Sequence, residues 1–482
     1  MNYSVVIYIL GWIMEIEAAF LALPGIVSAI YGESGGFAFL WVALGSAVAG
    51  SMIILHKPKN MRFYLREGFV TVALSWILMS VIGCLPFVIN GDIPHFADAL
   101  FEMISGFTTT GATVVSDVEG LTKGSLFWRS FSHWIGGMGV LVFLLAIVPM
   151  AGGSHMNLMK AESPGPSVGK LVPKVRQTAK YLYIIYFTLT MIEVIFLLFG
   201  GMNLFEALTT SFGTAGTGGF AIWNDGFVSV SPYNQWVVTI FMLLFGVNFG
   251  FYFLILTGKL RDALKFEEVR IYFIIVIASA VFIFINLWHF ALYAPAEGIR
   301  HAFFQVASII TTTGFASANF DLWPETSRTI LVILMFIGAC AGSTGGGIKV
   351  SRFIIAFKSF IKEIISYLHP RSVKKIKVEG KPLEHETLRA TNVYFMTYMV
   401  IFAVSVLLVS IENKDLVTNF AAVAATFNNI GPGLSLVGPM ANFGHFTDFT
   451  KYILMFDMLA GRLEIFPMLL LFCPAVWKRR RA

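Results

Sequence analysis

Apolar residues in this chain come in long unbroken runs, and polar residues are confined to the gaps between them. A helix crossing a bilayer core of about 30 Å needs roughly 20 apolar residues. Ten runs reach that length, at about 5–31, 36–55, 69–90, 129–150, 178–200, 234–257, 271–294, 328–350, 391–411 and 450–476. Within four of the gaps lies a shorter amphipathic stretch, of about ten residues and too short to span. These stretches begin at Asp98-Ala99-Leu100-Phe101-Glu102, Asn203-Leu204-Phe205-Glu206, Ile299-Arg300-His301-Ala302 and Thr418-Asn419-Phe420-Ala421. Each runs into a polar tip with glycine: Thr108-Thr109-Thr110-Gly111, Ala215-Gly216-Thr217-Gly218-Gly219, Thr311-Thr312-Thr313-Gly314 and Asn428-Asn429-Ile430-Gly431. The pattern predicts an all-α polytopic membrane protein in which span, half-helix, re-entrant loop and span recur four times around a central pore. The expected boundaries are an N-terminal two-helix hairpin over 1–60 and repeats over 61–155, 156–262, 263–375 and 376–482. The first run lacks a basic segment before it and a small-residue cleavage site, so it is expected to be a retained helix.

Composition and charge sharpen this picture. A mean hydropathy of +0.76 with 57% hydrophobic and 13% charged residues excludes an ordinary soluble domain. Of the 34 Lys and Arg residues, 27 fall in segments on one side if the N-terminus is placed in the cytoplasm: Lys57 to Arg66, Lys160 to Lys180, Lys259 to Arg270, Lys349 to Arg389 and Lys478 to Arg481. The positive-inside rule then puts both termini in the cytoplasm. The net charge of +6 is therefore a topology signal, and no basic face with interleaved aromatics points to nucleic acid. Cys84, Cys340 and Cys473 lie in apolar runs without paired spacing, and are expected to be reduced, buried thiols.

The four tips carry the chemistry. Non-helical backbone at membrane depth is tolerated where it is buried in protein or lines water. Carbonyls converging on an axis there replace the hydration shell of a cation. A half-helix aims the partially negative end of its dipole at the same place. Glycine is needed because backbone angles that turn successive carbonyls to one axis penalise a β-carbon, and threonine adds hydroxyl oxygens. One Thr-Thr-Thr-Gly alone reads as a turn capping a helix; four equivalent copies between spans read as a monovalent-cation filter. The assigned ligands are Thr109, Thr110 and Gly111; Gly216, Thr217 and Gly218; Thr312, Thr313 and Gly314; and Asn429, Ile430 and Gly431.

Two further features lie inside the apolar runs. The eighth is interrupted by Gly338-Ala339-Cys340-Ala341-Gly342-Ser343-Thr344-Gly345-Gly346-Gly347, too glycine-rich to be helical throughout at about 1 kcal/mol per glycine. It reads as a flexible intramembrane loop below the third tip, with small-residue helix packing as the alternative. A phosphate loop does not fit, since Lys349 does not directly follow the glycines and no Ser or Thr comes after it. Arg462 is the one Lys or Arg deep in a run. Either it faces the cavity, where it opposes cations and holds the loop shut, or it pairs with Asp457 or Glu464. Glu102, Glu206 and Glu193 are candidates for structural hydrogen bonds or for an effect on conduction; His133 and His289 are expected to be packed or interfacial.

These tips, the Gly342 to Lys349 stretch and Gly461-Arg462-Leu463-Glu464-Ile465-Phe466 resemble the Trk/Ktr/HKT superfamily of potassium transporters over essentially the whole chain. The N-terminal helix pair and Glu162-Ser163-Pro164-Gly165-Pro166 resemble its TrkH branch. The resemblance implies a fourfold pseudosymmetric protomer for K+ uptake across the inner membrane, assembled as a homodimer on a cytosolic nucleotide-binding TrkA ring. No cofactor is implied in this chain itself. It makes Gly342, Ser343, Thr344, Gly345, Gly346 and Gly347, with Arg462, the gate. Members with serine at the first filter position resemble Na+ carriers, so Gly111 implies K+. The second and fourth tips depart from the Thr-Thr pair, which implies weaker discrimination against Rb+ and Na+.

An enzyme is not indicated: no metalloprotease His-Glu-x-x-His or Asp-rich diphosphate motif is present. The closer alternative is an H+- or Na+-coupled symporter of the same fold. Folds with two inverted halves suit coupled transport, whereas here four copies run in one orientation.

Overall fold

Lipid offers backbone groups no hydrogen bonds, so long apolar runs close their own bonds as helices. The computed structural model describes residues 1–61, 64–137, 139, 175–369 and 375–478. α1 (Tyr3–Ile30) and α2 (Gly36–Leu55) form an antiparallel hairpin. α3 (Leu65–Asn90), the half-helix α4 (Phe96–Phe107) and α5 (Lys123–Gly137) follow. The next set is α6 (Val175–Phe199), half-helix α7 (Leu204–Gly216) and the pair α8 (Pro232–Phe245) and α9 (Phe249–Leu256). Then come α10 (Glu267–His289), half-helix α11 (Pro295–Ile310), α12 (Glu325–Phe336) and α13 (Val350–Leu368). A two-stranded antiparallel hairpin, β1 (Lys377–Val378) and β2 (Lys381–Pro382), precedes α14 (His385–Val409), half-helix α15 (Leu416–Phe427), α16 (Asp448–Arg462) and α17 (Phe466–Leu471). The chain is thus a polytopic, almost wholly α-helical membrane protein.

Among the described residues, six helices are long and apolar enough to cross a membrane: α1, α2, α3, α10, α14 and the Lys180–Phe199 part of α6. The expectation that the sixth and tenth runs are whole spans is corrected, while the break expected in the eighth run is found. α8 and α9 meet at an 88° bend. A β-carbon on Gly246 at this bend would lie 2.6 Å from the Tyr272 hydroxyl, and the Asn248 side chain accepts the Gly250 N–H at 2.7 Å to start the new helix. α12 stops at Phe336 before the glycine-rich loop, and α16 stops at Arg462, where Glu464 and Ile465 adopt left-handed angles (φ 58° and 71°). The run at 129–150 passes out of the described residues beyond Gly137, apart from Gly139; Glu162 to Pro166 and Arg479 to Arg481 also lie outside them.

Two of the half-helices, α7 and α15, are started by polar side-chain caps. Asn203 and Glu206 form a reciprocal capping box on α7, with bonds of 3.0 and 3.1 Å. The Asp415 carboxylate accepts the Thr418 N–H at 3.0 Å on α15, and its bonds from the Thr418 side chain and backbone hold its carboxyl below the usual range. Glu33, in the turn between α1 and α2, accepts N–H groups of Lys123 (2.7 Å) and Gly124 (3.2 Å), tying the N-terminal hairpin to the start of α5. Small residues let α1 and α2 approach closely: a β-carbon on Gly11 would sit 2.8 Å from Ile53. Their outer faces expose Phe37, Trp41 and Leu55, as expected of a surface whose solvent is lipid.

The segments beyond the tips bond successive repeats into a closed ring. Val118 N–H donates to Asn224 Oδ1 (2.7 Å), Phe227 N–H to Ala316 O (2.9 Å), Ser435 N–H to Asp321 Oδ1 (3.2 Å) and Phe443 N–H to Thr113 O (2.8 Å). The Lys451–Asp98 ion pair, at 2.5 Å, reinforces the joint between the fourth repeat and the first.

Candidate functional site

The four tips have one backbone conformation. At the end of each half-helix the N–H of Thr109, Thr217, Thr312 and Asn429 bonds three residues back, to Gly106, Thr214, Ile309 and Thr426, at 3.0–3.1 Å. The next N–H, of Thr110, Gly218, Thr313 and Ile430, bonds five residues back at 2.8–2.9 Å. Thr109, Thr217, Thr312 and Asn429 are left-handed, with φ of 54°, 55°, 58° and 56°. Two residues further on, Gly111, Gly219, Gly314 and Gly431 are left-handed again, at 78°, 77°, 86° and 95°. This alternation corrects the register in the second tip. The residue equivalent to Gly111 is Gly219, and Gly218 is equivalent to Thr110, one place earlier than the sequence reading set it.

With that register the tips form a cyclic contact. A β-carbon on Gly111 would stand 2.0 Å from Gly218 O, on Gly219 1.9 Å from Thr313 O, on Gly314 2.0 Å from Ile430 O, and on Gly431 2.7 Å from Thr110 O. Each glycine is therefore abutted by the carbonyl that precedes the next repeat's glycine, and the fourth repeat returns to the first. Any side chain would both adopt an unfavourable φ and occupy the neighbour's oxygen. All four glycines line one outward-opening cavity of about 130 Å³. Four glycine-centred backbone segments around one cavity suit a dehydrated cation better than an organic substrate.

Side chains buttress the ring unequally. Behind the first tip, Glu102 and Arg129 are a fully buried ion pair at 2.7 Å. Glu102 also accepts from Thr113 Oγ1 (2.9 Å) and Val114 N–H (3.0 Å), while Arg129 reaches Ala221 O (3.4 Å) and lies 4.2 Å over the Phe220 ring. His133, buried, accepts the Phe220 N–H on Nε2 at 3.1 Å, which leaves Nδ1 to donate to Gly106 O at 2.7 Å. It therefore joins the first half-helix to the second tip. In the fourth tip, Asn429 Nδ2 donates to Thr110 Oγ1 and to Met458 O, both at 2.9 Å, and Tyr398 donates to Asn428 at 3.0 Å. The asparagines that replace threonines thus anchor their strand sideways. Glu206 serves the capping box, Glu193 is buried in α6, and His289 lies in the last turn of α10.

Against the inner ends of the third and fourth tips lies the glycine-rich loop. The Gly346 N–H donates to Thr312 Oγ1 at 2.6 Å, and a β-carbon on Gly345 would be 3.0 Å from Thr311 O. Its base is closed by Gly338 N–H to Ile348 O (2.7 Å) and Val350 N–H to Ala339 O (3.2 Å). The loop also bonds the break between α8 and α9: Cys340 N–H donates to Gly246 O and Phe249 N–H to Gly342 O, both at 3.0 Å. Arg462 donates to Thr344 O (2.8 Å) and to Gly136 O (2.7 Å), bridging the loop to α5. Lys349 donates to the carbonyls of Gly345 and Gly346. Glu464 pairs with Arg352, whose guanidinium lies 3.9 Å over the Tyr394 ring. Asp457, the other proposed partner of Arg462, accepts from Ser405 at 2.7 Å. The sequence reading did not find Glu268, which accepts N–H groups of Ala341 (2.7 Å) and Ser351 (3.0 Å). An acidic residue in the first turn of an apolar span was its only signal.

Comparison with known proteins supplies independent findings. The family model for TrkH, described as a cation transport protein, matches residues 37–479. The chain is 36% identical to the Trk system potassium uptake protein TrkH of Escherichia coli K12, over 99% of this chain and all of that one. It is 31% identical to TrkG of the same organism, over 99% of each. The crystal structure of the potassium transporter TrkH from Vibrio parahaemolyticus is similar, with a TM-score of 0.87 at 33% identity, over 99% of this chain and all of that chain.

Removing one partner of a buried ion pair strands the other charge, at a cost of about 3–5 kcal/mol. Glu102→Ala is therefore expected to lower the thermal unfolding midpoint of the purified protein markedly, and Glu102→Gln, which keeps an oxygen for Val114 and Thr113, to lower it less. Equal midpoints for wild type and Glu102→Ala would contradict this account of the first tip.

Proposed function

The chain belongs to the TrkH family of cation transport proteins, and on that premise we propose that it takes up K+ across the cytoplasmic membrane through the ring of four tips. The observation that carries the proposal is the cyclic contact in which Gly111, Gly219, Gly314 and Gly431 each face the carbonyl of the next repeat around one cavity. This is a family of transporters, not of enzymes. Coordination by carbonyls of Thr110, Gly218, Thr313 and Ile430 and of their neighbours replaces water around the ion, and the four half-helix C-termini favour a positive charge there. The filter ligands are then Thr109 to Gly111, Gly216 to Gly219, Thr312 to Gly314 and Asn429 to Gly431.

In this reading the 342–347 loop and Arg462 are the gate. The loop covers the inner ends of two tips, and the Arg462 guanidinium both ties it to α5 and opposes a cation below the filter. The glycines give the loop freedom to move once those bonds are released. The two ends of the described chain lie together, with the Tyr3 and Trp477 rings 6.4 Å apart, which agrees with both being cytoplasmic. The protomer is proposed to act as a homodimer. The basic segments on the same side provide a face for an acidic patch on a cytosolic nucleotide-binding ring.

Four outcomes follow. In liposomes with no other gradient, the purified protein should conduct K+ and tracer Rb+; uptake that requires an H+ or Na+ gradient would establish the coupled symporter instead. Gly111→Ser and Gly219→Ser should each raise Na+ permeability relative to K+, and an unaltered ratio after serine is placed at all four glycines in turn would refute the filter. Deleting Gly345 to Gly347 should raise basal K+ flux, as should Arg462→Ala; a folded deletion protein with wild-type flux would reduce the loop to packing. For the partner, a pull-down from cytosol with detergent-purified protein should recover a nucleotide-binding protein, and recovery of none under any nucleotide condition counts against docking.

A further inference from the structure

The four left-handed residues at the inner ends of the tips are not held in the same way. Thr217 Oγ1 donates to Gly216 O at 2.6 Å, within its own segment. The Asn429 amide is tied to Met458 O and Thr110 Oγ1. The Thr109 methyl packs where Gly136 leaves room, 2.9 Å from the position of a β-carbon there. Thr312 alone takes its hydrogen bond from the glycine-rich loop, through Gly346 N–H at 2.6 Å. A β-branched residue in the left-handed region is strained and stays there only where its surroundings hold it. The conformation of the third tip thus rests partly on a loop whose Gly345 to Gly347 stretch has no side chains of its own to fix it.

Arg462 and Lys349 hold the loop's carbonyls, and Glu268 fixes both of its flanks. One of its carboxylate oxygens accepts the N–H of Ala341, just before the glycine cluster, and the N–H of Ser351, just after it. Glu268 is itself buried at the first turn of α10. The N–H groups of Glu267 and Glu268 are capped by Glu379 Oε1, at 3.0 and 3.3 Å, from the turn between β1 and β2. A continuous chain of contacts therefore runs from the 377–382 hairpin through Glu379, α10 and Glu268 to the loop, and through Gly346 to Thr312.

We propose that Glu268 is a positioning residue for the third filter segment: by fixing both flanks of the glycine cluster it keeps Gly346 on Thr312, so that the loop's position sets ion preference as well as flux. The inference rests on the filter reading above. It assigns the loop a second role. In the seated position the loop braces the third tip; when the loop leaves, Thr312 loses its hydrogen bond and the third corner of the ring relaxes while the first two, braced by Arg129 and His133, do not.

The test is a double-mutant cycle in liposomes, reading basal K+ flux and the Na+/K+ permeability ratio of the full-length protein. Glu268→Ala should raise flux and raise the ratio about three- to tenfold, the scale set by losing one buried hydrogen bond. Glu268→Gln retains an oxygen that accepts both N–H groups and should recover most of the wild-type ratio. Thr312→Val should shift the ratio on its own, and adding Glu268→Ala to it should produce little further change. Raised flux with an unchanged ratio in Glu268→Ala, or additive shifts in the double variant, would overturn the proposal. Should Glu268→Ala fail to fold, Gly346→Ala replaces it: the added carbon would meet Asn429 Cβ at 2.9 Å and Asn428 O at 3.0 Å, displacing the donor from Thr312. A wild-type ratio there is equally fatal. Gly111→Ser in the same assay separates the two failures. If it moves the ratio and the loop variants do not, the coupling is wrong; if it too leaves the ratio unmoved, the filter reading falls first.

Discussion

Everything at the centre of this molecule depends on one steric condition: where each of four glycines would carry a side chain, the next repeat has already placed a carbonyl oxygen. The three closest of these oxygens lie at 1.9–2.0 Å from the vacant β-carbon positions, far inside any van der Waals contact. The half-helices, the outer segments and the returning helices can all be understood as a frame that brings four such edges together. Because the contact is cyclic, each tip is positioned by two neighbours. The identical pattern of backward hydrogen bonds gives the tips a common twist.

A second constraint follows from putting irregular backbone inside a membrane, where an unbonded N–H or C=O costs several kcal/mol. The breaks after α8 and α12 satisfy one another: Gly246 and Phe249 of one exchange hydrogen bonds with Cys340 and Gly342 of the other. Three further loop carbonyls are taken up by cationic side chains, Thr344 by Arg462 and Gly345 and Gly346 by Lys349. These are polar groups recruited to a broken span, and they also make it movable, since side-chain donors can exchange partners more readily than a helix can rewind. Glu268 closes the set from the opposite side with a carboxylate in place of a carbonyl.

Much of this was legible in the sequence because repetition converts a weak local signal into a strong one. A lone Thr-Thr-Thr-Gly is ambiguous; four tips between apolar runs predict the half-helices α4, α7, α11 and α15. The register of the second tip was not legible. Gly216, Gly218 and Gly219 are interchangeable by composition, and only the alternation of left-handed angles singles out Gly219. Nor did hydropathy distinguish a broken span from a whole one, since the residues around Gly246 and those from Gly461 to Phe466 remain mostly apolar across the break. Arg462 was visible by its rarity. Glu102 was visible as an acidic residue on a half-helix, yet its pairing with Arg129 joins residues that no spacing rule connects.

The ring is also made of unlike parts. At one depth it presents Thr110, Gly218, Thr313 and Ile430, and the supports behind them are an ion pair, an imidazole, a glycine loop and an amide. A pore assembled from four copies of one subunit would carry any inherited change at every corner simultaneously. In a single chain the same change arrives as a quarter dose. Selection can therefore explore each wall separately, keeping three intact while a fourth drifts.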